Sequence, residues 1–264
     1  MIKSYIVSSK LPQLLFLLSI FFSSNFANAQ GGPPMLTDDS DVPGNGNWEN
    51  NFAVSFEGSK DQYQLSFPAL DLNYGLGDRI QLKVELPWVK ENGTALANKF
   101  DHITLGLKYQ FLDEDSDGVS FSFYPQPIIS FNPEDHSKKN EFGIFLPVAA
   151  SKQFFHTGMN IQIGYQVLGT QKQWVFGLVM DHAIGEYLLV LAELHSTIGR
   201  EAVAGANSEE EVFFRAGTFL NIGLQIKPSK KYFINFAFGK DIESNHDLSD
   251  GAKYYGYAGL QLNL

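Results

Sequence analysis

The chain has 264 residues with no cysteine, 19 basic against 29 acidic side chains, and an aromatic content carried by 23 Phe, 11 Tyr and 3 Trp. This composition excludes a disulfide scaffold, a thiolate metal centre and a thiol nucleophile, and the formal charge of -10 leaves no basic face to neutralise nucleic-acid phosphates. Only 18% of residues are charged, below the roughly 25% of an ordinary soluble domain, so the low charge itself needs a structural reason.

The first element is an export signal. Lys3 and Lys10 flank a basic start, Leu11 to Phe22 is a nearly unbroken apolar run, and Ala27-Asn28-Ala29 has the small-x-small spacing of a signal-peptidase site. The run is too short for a stable transmembrane helix, and nothing after Gln30 supplies the ~18 apolar residues of a helical span. Residues 1–29 are therefore expected to be a cleaved signal peptide, residues 30–46 a periplasmic N-terminal segment, and residues 47–264 the folded body.

Asp38, Asp39 and Asp41 lie in that N-terminal segment, between Pro33-Pro34 and Pro43. Three hard oxygen donors so close together could chelate calcium, but the plainer reading is a solvated turn beside the prolines. The six histidines show no paired ligand spacing, so neither a metal nor a cofactor is expected.

From Trp48 onward the hydropathy alternates with period two, the pattern of a strand with one apolar and one polar face. Trp48, Phe52, Val54 and Phe56 begin it. Tyr63, Leu65 and Phe67 follow, and after Pro68 the phase slips by one to Leu70, Leu72 and Tyr74, as at a bulge. The clearest segments are Ile80 to Trp88 and Ile103 to Phe111. Eight more follow, around Val119–Phe123, Phe142–Val148, Met159–Tyr165, Trp174–Met180, Leu188–Leu194, Phe214–Leu224, Tyr232–Phe238 and Tyr254–Leu264. That makes twelve, each near the 9 to 11 residues a tilted strand needs to cross a bilayer.

Connections after even-numbered strands are mostly compact, as at Gly75–Asp78, Ala183–Glu186 and Lys227–Lys230. Those after odd-numbered strands are mostly long and polar, as at Lys90–Lys99, Asn132–Asn140, Gly199–Glu211 and Lys240–Gly251, with short exceptions near Gly58 and Gly169. Short turns at one end and long loops at the other are the asymmetry of a Gram-negative outer-membrane barrel. A soluble sandwich or lipocalin would also alternate, but its apolar face would point inward. The expected fold is an all-β, antiparallel, up-and-down transmembrane β-barrel of about twelve strands. Trp48, Trp88, Trp174, Tyr187 and Tyr232 stand near strand ends, where interfacial aromatic girdles form.

If the apolar faces look at lipid, the opposite faces line a lumen. Its polar wall is expected to contain Lys83, Glu85, His102, Lys108, Glu193 and Arg215, with Gln81, Thr104, Gln110, Asn160, Gln162 and Gln166 among them. Its aromatic wall is expected to contain Phe213, Phe219, Phe233, Tyr255 and Tyr257. Such a lumen suits a solute with an apolar body and a polar end, while the same rings could simply fill a narrow barrel. Glu193 and Arg215 sit on neighbouring strands and could form a lumenal ion pair. Catalysis is not expected: His195-Ser196 and Asp181-His182 are adjacent on strands and point to opposite faces, and His195 with Thr197 lacks an orienting partner.

The stretch Gly32-Pro33-Pro34-Met35-Leu36-Thr37-Asp38-Asp39, followed by Pro43-Gly44 and Trp48-Glu49, resembles the amino-terminal signature of the MetA-pathway of phenol degradation family. The resemblance covers about twenty residues sharply and the rest mainly in strand rhythm. It implies an outer-membrane transporter barrel in a family named for phenol-degradation gene clusters, and it carries over no binding residue. The expected partners are outer-membrane lipid, the barrel-assembly machinery and a small hydrophobic or aromatic solute. The expected function is passive transport of such solutes, with a non-transporting structural or interaction barrel as the alternative. Leu264 departs from the terminal aromatic common among such barrels.

Overall fold

A computed structural model describes residues 32–59, 63–91, 99–131, 141–169, 171–204, 209–242 and 252–264. The expected signal peptide, 1–29, lies outside the described residues, as do parts of the long connections.

Twelve staves make up the fold. They are β1 (Trp48–Gly58), β2 (Tyr63–Gly75), β3 (Ile80–Glu91), β4 (Lys99–Phe100 continued as His102–Leu112), β5 (Ser120–Phe123 continued as Gln126–Ser130) and β6 (Glu141–Phe154). The second half comprises β7 (Thr157–Leu168), β8 (Gln171–Ile184), β9 (Leu188–Ala204), β10 (Glu209–Ser229), β11 (Tyr232–Asp241) and β12 (Tyr254–Asn263). Each stave pairs antiparallel with its chain neighbours, and β1 pairs with β12 from Glu49 opposite Asn263 to Gly58 opposite Tyr254. The sheet is closed, which removes the unpaired edge that lipid could not satisfy. Trp48 and Leu264 exchange backbone hydrogen bonds in both directions, so both ends of the barrel wall meet at the end that carries the short turns.

The faces are inverted relative to a soluble protein. Leu82, Leu105 and Ile222 are 39%, 41% and 64% exposed, whereas Lys83 on β3, Lys108 on β4 and Glu193 on β9, all on the opposite face, are 8%, 2% and 1% exposed. A water-soluble sheet would bury the leucines and expose the ions. Exposed apolar staves around a buried polar interior match a bilayer outside and a hydrogen-bonded lumen inside. Aromatic residues frame the apolar band at both ends: Trp48 packs on Tyr74 at 4.8 Å near the turn end, and Tyr165 on Trp174 at 5.0 Å near the loop end.

Two irregularities position the lumen residues. The phase slip expected at Pro68 is present as a bulge between Ser66 and Ala69. Pro125, which has no N–H for the ladder, interrupts β5 and leaves Tyr124 turned into the barrel, 2% exposed. Gly106 on the adjacent stave gives this ring its room, since a Cβ there would fall 2.6 Å from the Tyr124 ring.

Candidate functional site

The segment expected to lie in the periplasm instead enters the barrel. From the rim at Asn47 the chain turns inward, and Gly32 to Pro43 lies against the lumenal wall. The entry is pinned at the rim: Gly75 receives and returns backbone hydrogen bonds with Gly46 and Asn47, and a Cβ on Gly75 would fall 1.8 Å from the Gly44 carbonyl oxygen. At its far end the segment closes into a compact turn, with Gly32 N–H donating to the Thr37 carbonyl and Met35 N–H to the Gly32 carbonyl.

The wall satisfies this segment group by group. The Glu193 carboxylate accepts from the backbone N–H of Thr37 at 2.8 Å and of Leu36 at 3.2 Å, and from Asn221 Nδ2 at 2.5 Å. Asp38 N–H donates to Gln162 Oε1, while Asn160 Nδ2 donates to the Asp38 carbonyl at 2.7 Å. Ser40 Oγ donates to Ser151 Oγ at 2.7 Å, and Tyr255 OH donates to the Pro34 carbonyl at 2.9 Å. Buried backbone groups of an irregular segment need partners, and here Asn, Gln, Ser, Tyr and Glu side chains of the staves provide them.

The three aspartates meet the lumenal cations. Lys108 Nζ donates to Asp39 Oδ1 at 3.0 Å and to the Asp41 carbonyl at 2.9 Å. Lys83 Nζ lies 3.6 Å from Asp38, 3.6 Å from Asp71 and 3.7 Å from Glu85. The Tyr124 ring sits between the two ammonium groups, 4.9 Å from Lys108 and 5.9 Å from Lys83. Gln126 donates to Asp38, and Gln110 to Asp41. Burial alone would raise the Asp38 carboxyl, but Lys83 and Lys108 overcome it and hold Asp38 below the usual carboxylate value. Asp41 behaves oppositely, pushed up to about 7 by burial and by the neighbouring Asp39 carboxylate. Neither a solvated turn nor a calcium loop describes these residues, because ammonium and amide groups already occupy the carboxylates' surroundings.

The apolar part of the segment faces the other wall. Met35 joins Val179, Leu189, Leu191, Ala237 and Tyr255 in a buried lumenal cluster, with Leu36, Phe219 and Tyr257 packed against it. Two wall glycines make the fit possible. A Cβ on Gly223 would fall 2.1 Å from Met35 Cε, and one on Gly177 would fall 2.1 Å from Thr37 Oγ1. Turnward of the segment, at the short-turn end, a cavity of about 510 Å³ opens among Asp41, Pro43, Glu49, Gln81, Lys227 and Phe233.

The expected wall residues fall into three groups. Lys83, Lys108, Glu193 and Tyr255 are buried and engage the segment or one another as above, and Phe219 and Tyr257 pack on the same cluster. Glu85 and His102 are half-buried towards the loop end, where His102 Nδ1 lies 3.0 Å from Asp101, and Phe233 lines the cavity with its ring 5.2 Å from Lys227 Nζ.

The side chains of Phe213 and Arg215 lie outside the described residues, although the backbone that carries them is placed on β10. A bulge at Ala216, next to Gly217 with φ 137°, shifts the register so that Arg215 stands opposite Ile198 and Phe213 opposite Arg200. Glu193 stands opposite Asn221, and its carboxylate accepts from the tail. His195 is also drawn to the segment, its Nδ1 3.4 Å from Thr37 Oγ1, while Ser196 Oγ pairs with Thr218 Oγ1 at 2.9 Å.

No family model matches the chain, and no curated protein matches it. Among solved structures it is similar to the NanC porin, at TM-score 0.54 and 9% identity over 81% of this chain and 100% of that one. The KdgM porin gives TM-score 0.51 and 12% identity over 81% of this chain and 98% of that one. The same porin in complex with disordered oligogalacturonate gives TM-score 0.52 and 10% identity over 82% and 98%. The likeness is one of fold: the chain is built as a closed, porin-type barrel.

Proposed function

We propose that this chain is a passive outer-membrane conduit for small, partly hydrophobic molecules, and that residues 32–43 fill the conduit at rest. The carrying observation is the lumen's division into an apolar wall around Leu189, Leu191 and Tyr255 and a polar, cationic wall around Lys83 and Lys108. A structural filler would need only volume. A lumen that pairs apolar and ionic surfaces matches solutes carrying both. The short-turn end then faces the periplasm and the long connections face outward, and the tail signature supports placement in the MetA-pathway of phenol degradation family.

The filled lumen favours a second reading, a non-transporting barrel of structural or interaction role. Proteoliposomes separate the two. The full chain and a variant lacking residues 32–43 are loaded with 4-hydroxyphenylacetate or arabinose, and efflux is compared with protein-free vesicles. The conduit reading expects the deletion variant to release the phenolic probe at least several-fold faster than protein-free vesicles and than the full chain. If neither probe leaves faster from either barrel, the structural reading replaces it.

A further inference from the structure

We infer that the surface now covered by residues 34–39 is a binding site for amphiphilic carboxylates, and that the tail occupies it as an internal stand-in for that ligand. The inference rests on the conduit reading and specifies its solute: a medium-length apolar body ending in a carboxylate.

The tail's own chemistry defines the ligand. Met35 lies in the apolar cluster with Val179, Leu189, Leu191 and Tyr255, and four residues later Asp39 places a carboxylate oxygen 3.0 Å from Lys108 Nζ. Four residues set the Met35 and Asp39 Cα atoms at most about 14 Å apart, so the apolar and the anionic group lie across the lumen within a side chain's reach of that limit. A medium-chain alkyl carboxylate has the same two ends at a comparable spacing.

The two lysines differ in a way that singles out the anion subsite. Lys83 has wall partners of its own, Asp71 and Glu85, so its charge is balanced with or without the tail. Lys108 is 2% exposed, and among the described residues its hydrogen-bond acceptors are Asp39 Oδ1 and the Asp41 carbonyl, both from the tail. When the tail leaves, the ammonium loses both acceptors and faces the vacated lumen, keeping the Tyr124 ring 4.9 Å away and the longer-range attraction of the Glu49 carboxylate. An anionic ligand restores the charge-assisted hydrogen bonds that the tail made to Lys108 and a neutral alcohol does not, so the vacated site favours an anion.

The fit of the tail is also shaped into the wall. Gly177 and Gly223 leave hollows filled by Thr37 and Met35, and both would be obstructed by a single Cβ. These hollows lie in the lumen and would receive the chain of a ligand once the tail withdraws. Ligand and tail therefore compete, and the ligand's apparent affinity is its intrinsic affinity reduced by the fraction of barrels whose tail is undocked.

The absence of cysteine makes the test direct. A Thr37→Cys variant in proteoliposomes carries one thiol at a position fully buried in the docked state. Its labelling by a membrane-impermeant maleimide is measured with decanoate, 1-decanol or neither. The expected result is at least a tenfold faster labelling with decanoate and no comparable change with decanol, which controls for bilayer perturbation. Adding Asp39→Asn should lower the decanoate concentration for half-maximal labelling about tenfold, because the competitor has lost its charge. Lys108→Gln should abolish the difference between decanoate and decanol.

Equal labelling with decanoate, decanol and no addition overturns the inference, as does an Asp39→Asn variant with unchanged decanoate dependence. If Lys108→Gln fails to assemble, the Asp39→Asn result still decides. Failure here is distinct from failure of the conduit: a deletion variant that leaks solute while decanoate leaves position 37 protected sinks only the ligand assignment. An impermeable deletion variant sinks the conduit, whatever decanoate does to the label.

Discussion

Glu193→Ala is the sharpest single perturbation of the docked tail. The carboxylate accepts from Thr37 N–H at 2.8 Å and Leu36 N–H at 3.2 Å, and is 1% exposed. Hydrogen bonds to a charged group contribute about 1.5–3 kcal/mol each, and the longer bond belongs at the low end. Alanine also removes the cost of keeping the carboxylate dry, so the net loss of docking free energy is about 3 kcal/mol. That is roughly a 150-fold shift toward the undocked tail. Amide hydrogen exchange in nanodiscs reads it out directly: residues 36 and 37 should exchange about 100-fold faster in the variant, while amides of the Ile80–Leu86 ladder keep their wild-type rates. Glu193→Gln, which keeps one acceptor oxygen, should fall between. Unchanged protection at residues 36 and 37 would refute the claim that Glu193 holds the tail.

Further outcomes follow from the same geometry. Gly177→Val places its Cβ 2.1 Å from Thr37 Oγ1, so the tail must retreat while the outer face is unaltered; proteolysis of residues 32–43 should accelerate at least tenfold with the barrel still heat-modifiable on gels. Docking should also depend on pH. Asp41 is raised to about 7 when docked from 3.8 when free, so its contribution is fully present below pH 3.8 and is lost as pH rises through 7. Asp38 is lowered, so its contribution is present above 3.8 and is lost as pH falls through its depressed value. The tail should therefore be bound most tightly near pH 4 and at least about tenfold more weakly at pH 8, measurable by exchange at residues 36–37; equal protection at both values would contradict the Asp41 assignment. Ile222→Lys should cost about 2–4 kcal/mol of folding free energy in urea titrations in bilayers, because this 64%-exposed position faces hydrocarbon. A neutral effect would place Ile222 in water.

The barrel was legible because two-faced staves leave a period-two record that survives in every strand, and because lipid forbids charge on one of those faces. Ile80 to Trp88 carries that record without a break, and even the slip at Pro68 could be read, since Phe67 and Leu70 declare their parity on either side of it. The slip at Ala216 could not. Phe213 and Phe214 are both aromatic, so the sequence there offers no parity to compare with Leu220 beyond Gly217.

The place of the tail was not legible for a different reason, and the sequence leaves open whether it plugs the barrel. Asp38, Asp39 and Asp41 look solvated in a local window, and their partners Lys83 and Lys108 lie 45 and 69 residues away from Asp38 and Asp39. Local polarity does not distinguish a carboxylate in water from one buried against a lysine. Two signals did exist: lumen-facing Lys83 and Lys108 needed anions, and wall glycines at 177 and 223 left space that no wall side chain fills.

Single-channel recording in planar bilayers tests the central claim most directly, that a lipid-facing barrel holds its own N-terminal segment in a lumen that would otherwise conduct. The full chain should be closed or give only rare, brief openings, and the variant lacking residues 32–43 should show stable, stepwise conductance. Identical traces from the two proteins, whether both silent or both open, would contradict it.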